Sequence, residues 1–77
     1  MEAVEEMNRS AMREHALEQA PGRLVVVAAP VTVKVRSVAG KAIAYTVTHV
    51  LVERDADGEY GVRWEANWQV KRVPTGS

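Results

Sequence analysis

Cysteine is absent from this 77-residue chain, so neither a disulfide nor a thiolate metal site can staple it. A domain of this length hides only about 60–65 % of its unfolded surface, and scaffolds so small often gain stability by oligomerising. No run approaches the roughly 20 apolar residues of a membrane span. The start "MEAVEEM" is acidic and lacks both the basic segment and the apolar run of a signal peptide. These absences give the expectation of a soluble, cytoplasmic protein of the small bacterial type, with no membrane association. There is also no glycine-rich phosphate loop after a strand, no histidine pair at ligand spacing, no nucleophile elbow, no internal repeat and no low-complexity segment. Neither a metal nor a cofactor is expected, and enzymatic activity is left undecided.

Net charge is zero, but it is unevenly placed. Residues 1–20 carry two basic residues against five acidic ones, and the remainder eight against five. That polarity suits docking of an acidic segment on a basic body; nucleic-acid binding normally needs a more concentrated basic excess and is disfavoured.

The first twenty residues contain neither glycine nor proline, and "APG" at Ala20, Pro21 and Gly22 stops what precedes it, which predicts one helix. Glutamates 2, 5 and 6 suit its positive end. Val4, Met7 and Ala11, flanked by Met12 and Ala16, form its apolar stripe. From Arg23 the period becomes two and β-branched residues dominate. "LVVVAAPVTVKVR", "AIAYTVTHVLVER" and "EYGVRWEANWQVKRV" read as three long strands. "SVAGK" offers a three-residue loop with Gly40 left-handed, and "DADGE" offers Asp57-Gly58 as a two-residue turn or residues 55–58 as a wider one. Pro30 calls for an edge, a bulge or a kink.

The fold expected is therefore α+β, a single domain over residues 1–75: one N-terminal helix (about 2–20) packed on a three-stranded antiparallel meander (about 23–36, 41–54 and 59–73) and completed by oligomerisation. Gly76 and Ser77 are set aside as an appended tail. With Ser37 opposite Lys41, Val33, Val35, Ile43, Tyr45, Val47, His49 and Leu51 share a face. A two- or four-residue second loop adds Val62, Trp64, Ala66, Trp68 and Val70 to it. A three-residue loop bulged at Gly58 would instead put both tryptophans with Thr46, Thr48 and Val50. In the first register the apolar face is too wide for one helix to cover, which marks an interaction surface.

His15 reads as a solvated helix residue. His49 interrupts an apolar file; a neutral imidazole there suits a structural hydrogen bond first, ligand contact second and general acid or base work third. Trp64 and Trp68 read as core or interface anchors before stacking platforms.

Residues 44–74, "AYTVTHVLVERDADGEYGVRWEANWQVKRVP", resemble the closing hairpin of the nuclear-transport-factor-like and SnoaL-like α+β families. The resemblance implies an apolar pocket between a curved sheet and helices, in some members used for cofactor-free isomerase, dehydratase or cyclase chemistry. The chain lacks the family's two long N-terminal helices and first strands, so a full cone would need a dimer, and no catalytic position transfers.

Two functions follow as leading expectations. One is a homo-oligomeric binding module, a dimer first, self-associating through the tryptophan face. The other is a cofactor-free isomerase or lyase, or a binder of a small apolar ligand, with a pocket of Tyr45, His49, Trp64 and Trp68 and His49 as the catalytic candidate. A weaker third is a nucleic-acid binder using Lys34, Arg36, Arg63 and Lys71.

Overall fold

A computed structural model describes residues 2–56 and 58–73, with side chains from residue 7 onward. One helix, α1 (Glu2–Glu18), precedes five strands: β1 (Val25–Val35), β2 (Val38–Tyr45), β3 (His49–Ala56), β4 (Glu59–Ala66) and β5 (Val70–Arg72), with a 3-10 turn at Asn67–Gln69 between the last two. All pairings are antiparallel and the strand order is β4-β3-β2-β1-β5. The three-stranded meander is thereby corrected to a five-stranded sheet, still α+β.

That sheet has to curl. In a flat sheet β4 and β5 would lie roughly 19 Å apart, at about 4.8 Å per strand. Ala66 and Val70 are four residues apart and can span at most about 14 Å. The result is a half-barrel whose two edge strands are drawn towards each other. Its inner face holds Val33, Val35, Ala42 and Val52, with Val31, Val50 and Val70 packed against them. Its outer face carries Ala44 and Leu51, both fully buried, beside Trp64.

The two extra breaks, a reversal between β2 and β3 and a bend between β4 and β5, which run in the same sense, have no glycine or proline to announce them; polar side chains make them. The second expected strand breaks after Tyr45 because the buried Thr46 hydroxyl accepts the backbone N–H groups of Thr48 (3.3 Å) and His49 (3.1 Å), while its own N–H donates to the His49 carbonyl (2.8 Å). Side-chain capture of nearby amides offers the backbone an alternative to the ladder. The third expected strand breaks at Asn67, whose amide donates to the Val47 carbonyl (3.0 Å) and whose backbone N–H donates to that of Thr48 (2.9 Å). The reversal and the bend are thus tied together.

The first hairpin turns at Arg36-Ser37, with Val35 opposite Val38, in place of the loop expected at "SVAGK". Both turn residues are left-handed (φ 52° and 71°), as a two-residue primed turn requires, although neither is glycine. Each such conformation costs on the order of 1 kcal/mol for a residue with a Cβ. Gly40 lies inside β2, where an added Cβ would stand 2.7 Å from Val52 Cγ1 and 2.9 Å from the Glu53 carbonyl oxygen. It is a close-approach glycine. Between the irregularity and the turn this register pairs odd residues of β1 with even ones of β2, so Val33 opposes Gly40 and Val35 opposes Val38 in place of Tyr45 and Ile43, while Tyr45 opposes Val25. In the second hairpin Ala56 pairs with Glu59 around Gly58 (φ 75°), which places Leu51 opposite Trp64 and His49 opposite Ala66, as the two-residue loop predicts; Asp57 itself lies outside the described residues. The irregularity expected at Pro30 falls between Val26 and Val31.

Helix docking also departs from the expected stripe. Val4 lies outside the residues whose side chains are described, Ala11 is exposed, and Met7 is 70 % exposed. The face turned to the sheet is Arg9, Arg13, Ala16 and Leu17, and its grip is polar. Arg9 pairs with Asp55 at 2.6 Å and lies over the Tyr60 ring at 5.0 Å. Arg13 reaches both Glu53 and the Tyr60 hydroxyl at 3.3 Å, and Tyr60 donates to Glu53 at 2.6 Å. The Trp64 indole N–H donates to the Ala16 carbonyl at 2.8 Å, which satisfies a carbonyl near the end of the helix.

Burial first, then the bond to Glu53, push the Tyr60 phenol above its ordinary pKa. The neutral phenol is the form the fold favours, so its contribution is complete below about pH 10 and is lost as pH rises through the folded value. Thermal melts between pH 8 and 11 should therefore show an alkaline fall in Tm that Tyr60→Phe largely removes. An unchanged fall in that variant would place its origin elsewhere.

Candidate functional site: the apolar open end of the half-barrel

Where the inner face reaches the Thr46 turn, the core is unroofed. A hollow of about 300 Å³ opens there, bordered by Val27, Val31, Tyr45, Val50, Asn67 and Val70 among others. Around it the chain leaves large apolar side chains in water. Val47 is 84 % exposed and Trp68 77 %, with Val25, Val26 and Tyr45 also exposed. Val47 sits on the reversal and Trp68 on the 3-10 bend that Asn67 joins to it, and Val25 pairs with Tyr45 on adjacent strands. All five lie at one end of the sheet, Val25 and Tyr45 on the inner face and Val26, the partner of Ala44, on the outer one. The 3-10 turn that displays Trp68 buries none of its own residues.

The four residues expected to line one pocket are distributed over three places. Tyr45 borders the inner hollow. His49 is next in β3 to Val50, Tyr45's pairing partner, so it points to the opposite, outer face. Its ring Nδ1 lies 2.7 Å from the Thr48 hydroxyl, a local polar contact of the structural kind, and His49 borders none of the hollows described here. Trp64 shares the outer face and lines a shallow groove of about 320 Å³ with Met12, His15, Ala16 and Val62, beneath the helix. Trp68 lies beyond the strand end. The two indoles therefore do not form one wall: Trp64 belongs to the helix contact, and Trp68 to the open end.

No group among the described residues brings three or more histidine or acidic side chains into metal-binding proximity, and no helix is long and apolar enough to cross a membrane. Sequence reasoning placed Val47 on the exposed apolar face but missed Val25 and Val26. The signal available was the absence of charge from Leu24 to Val33, a stretch longer than a thin core can absorb. No family model, no curated protein and no solved structure matches this chain.

Proposed function

We propose that this protein is a small self-associating binding module and that its open apolar end is the contact surface, with Trp68 as anchor. The observation that carries the reading is the exposure of Trp68 and Val47 in a domain with six buried apolar residues among those described. A protein that buries so little has small reserves of stability, and leaving an indole in water forgoes burial that a second copy can supply. By the usual sizes of such side chains, the five exposed residues offer on the order of 500 Å² per copy, within the range of functional patches. A two-fold contact brings like groups together, and the exposed apolar side chains here meet their own image without repulsion, Arg72 being the one charged residue, among those described, that borders the hollow. Tryptophans at the centre of such patches are typical hot spots.

Sedimentation equilibrium over a wide concentration range tests this. The wild-type chain should give a dimer or larger species that dissociates on dilution. Trp68→Ser should give one chain's mass throughout, with a melting temperature at infinite dilution close to that of the wild type. A wild-type chain that stays monomeric at the highest concentrations contradicts the proposal.

A second reading rests on the hollow itself. Its volume of about 300 Å³ is at the lower end of small-molecule sites, and most of its named walls are valine and tyrosine. A small apolar ligand held there would contact Tyr45, Val31 and Val50 and would leave His49 out of reach of the chemistry. Tyr45→Ala should then abolish a ligand-induced thermal shift that His49→Ala leaves intact.

A further inference from the structure

Acidic side chains are missing from one side of this sheet. From Gln19 to Val52 the sequence has no aspartate or glutamate, and β5 has none either. The strands β1, β2 and β5 and the turn between the first two therefore carry Lys34, Arg36, Lys41, Lys71 and Arg72 with no carboxylate of their own.

Four of these cations border one hollow. It has about 380 Å³ at the seam where β5 joins β1, and Lys34, Arg36, Ser37, Gln69, Lys71 and Arg72 line it. Lys34 and Lys71 are direct cross-strand partners, an arrangement that like charges make unfavourable. Arg36 and Ser37 reach the hollow only by holding left-handed backbone that residues with a Cβ resist. Elsewhere the protein does pair its charges, as Arg9 with Asp55 and Arg13 with Glu53 show. Among the described residues, none of the four cations at the seam has an ion-pair partner. Repulsion and backbone strain thus meet at one place, and an anion would relieve the first and give the second a use.

We propose that this seam is a binding site for phosphate groups, with Lys34, Arg36, Lys71 and Arg72 as its cationic donors and the Ser37 hydroxyl as a neutral one. Guanidinium groups match phosphate oxygens in pairs, and ammonium groups supply point charge. The phosphates can belong to a phosphodiester chain or to a compact oligophosphate.

Fluorescence anisotropy with a labelled single-stranded 12-mer, and competition by inorganic triphosphate, tests the site. With four phosphates neutralised, affinity for the 12-mer should fall about fiftyfold between 50 and 200 mM salt, and in Lys34→Gln/Lys71→Gln only about sevenfold, from a weaker start. Arg36→Asn/Ser37→Gly supplies the residues a primed turn prefers, so it should raise the melting temperature and weaken binding at once, which separates recognition from folding. Arg63→Gln, on β4, should leave affinity unchanged. Displacement by triphosphate at concentrations equal in phosphate assigns the site to compact phosphates; resistance to it assigns the site to the phosphodiester chain. Absence of binding by either probe at 50 mM salt overturns the proposal, as does an equal loss of affinity in Arg63→Gln and in the double lysine variant.

Discussion

Gly40→Val is expected to destabilise the protein by about 3 kcal/mol, the upper end of the range for overpacking. The Cβ alone would stand 2.7 Å from Val52 Cγ1 and 2.9 Å from the Glu53 carbonyl oxygen, and the second of these is backbone, which cannot rotate away. Relief would require β2 and β3 to part where Ala42 and Val52 hold the inner core. Urea denaturation should show the midpoint falling with little change in slope. Gly61→Ala is the matched comparison: nothing stands within 4 Å of its added Cβ, so removing a strand glycine there should stabilise by roughly 0.5–1 kcal/mol. Equal effects at the two positions would show that Gly40 is not a close-approach residue.

Leu51→Ala should cost more, in the range of about 2–5 kcal/mol for a fully buried leucine. Leu51 is 0 % exposed and is the largest fully buried side chain, set opposite Trp64 on the face that receives the helix. A domain of this length has a total stability of about 4–11 kcal/mol, so the variant should lose a large share of it and melt at a markedly lower temperature. Loss of far-ultraviolet circular dichroism with temperature measures it. A cooperative transition unchanged from wild type would mean that the outer-face cluster is not part of the core.

Several features were legible in the sequence because each has a local cause. The helix ends where proline and glycine forbid its continuation, the second hairpin takes the register that a two-residue Asp-Gly loop implies, and Pro30 coincides with an interruption of the ladder. What was not legible is the work of polar side chains reaching backbone some distance away. Thr46 and Asn67 belong to runs that alternate as strands do, and it is the hydrogen bonds of Thr46 within its own turn and of Asn67 to that turn that reverse the chain at the first and bend it at the second. A missed reversal and a missed bend made three strands out of five. They also moved Trp68 from a strand face to the tip of a turn.

The first hairpin misled for a different reason. Gly40 is the residue a turn would want, but packing against β3 claims it, and the turn falls on Arg36 and Ser37 instead. Helix docking went the same way. The apolar stripe looks like the buried one by period alone, yet arginines at 9 and 13 have acidic and aromatic partners on β3 and β4 that methionine at 7 lacks. Charge complementarity decided which side of a weakly amphipathic helix faces the sheet, and the exposed apolar surface is larger for it.

Of the four residues singled out for a site, Tyr45 borders the hollow, while His49, Trp64 and Trp68 lie apart from it. An apolar surface wider than its own helix can shelter was expected and is present, but it comprises Val25, Val26, Tyr45, Val47 and Trp68 and excludes Trp64. His49, the residue that drew a catalytic reading, faces away from the hollow that Tyr45 borders.

The most direct test of the central claim reports on the two indoles separately. With 5-fluorotryptophan in place of both tryptophans, fluorine NMR gives one resonance for each, assigned with Trp68→Phe. As protein concentration rises, the Trp68 resonance should move, broaden and lose its sensitivity to exchanging water for heavy water, while that of Trp64 stays fixed beneath the helix. A Trp68 resonance equally sensitive to solvent at every concentration, in a chain that sediments as one molecule, would contradict the account.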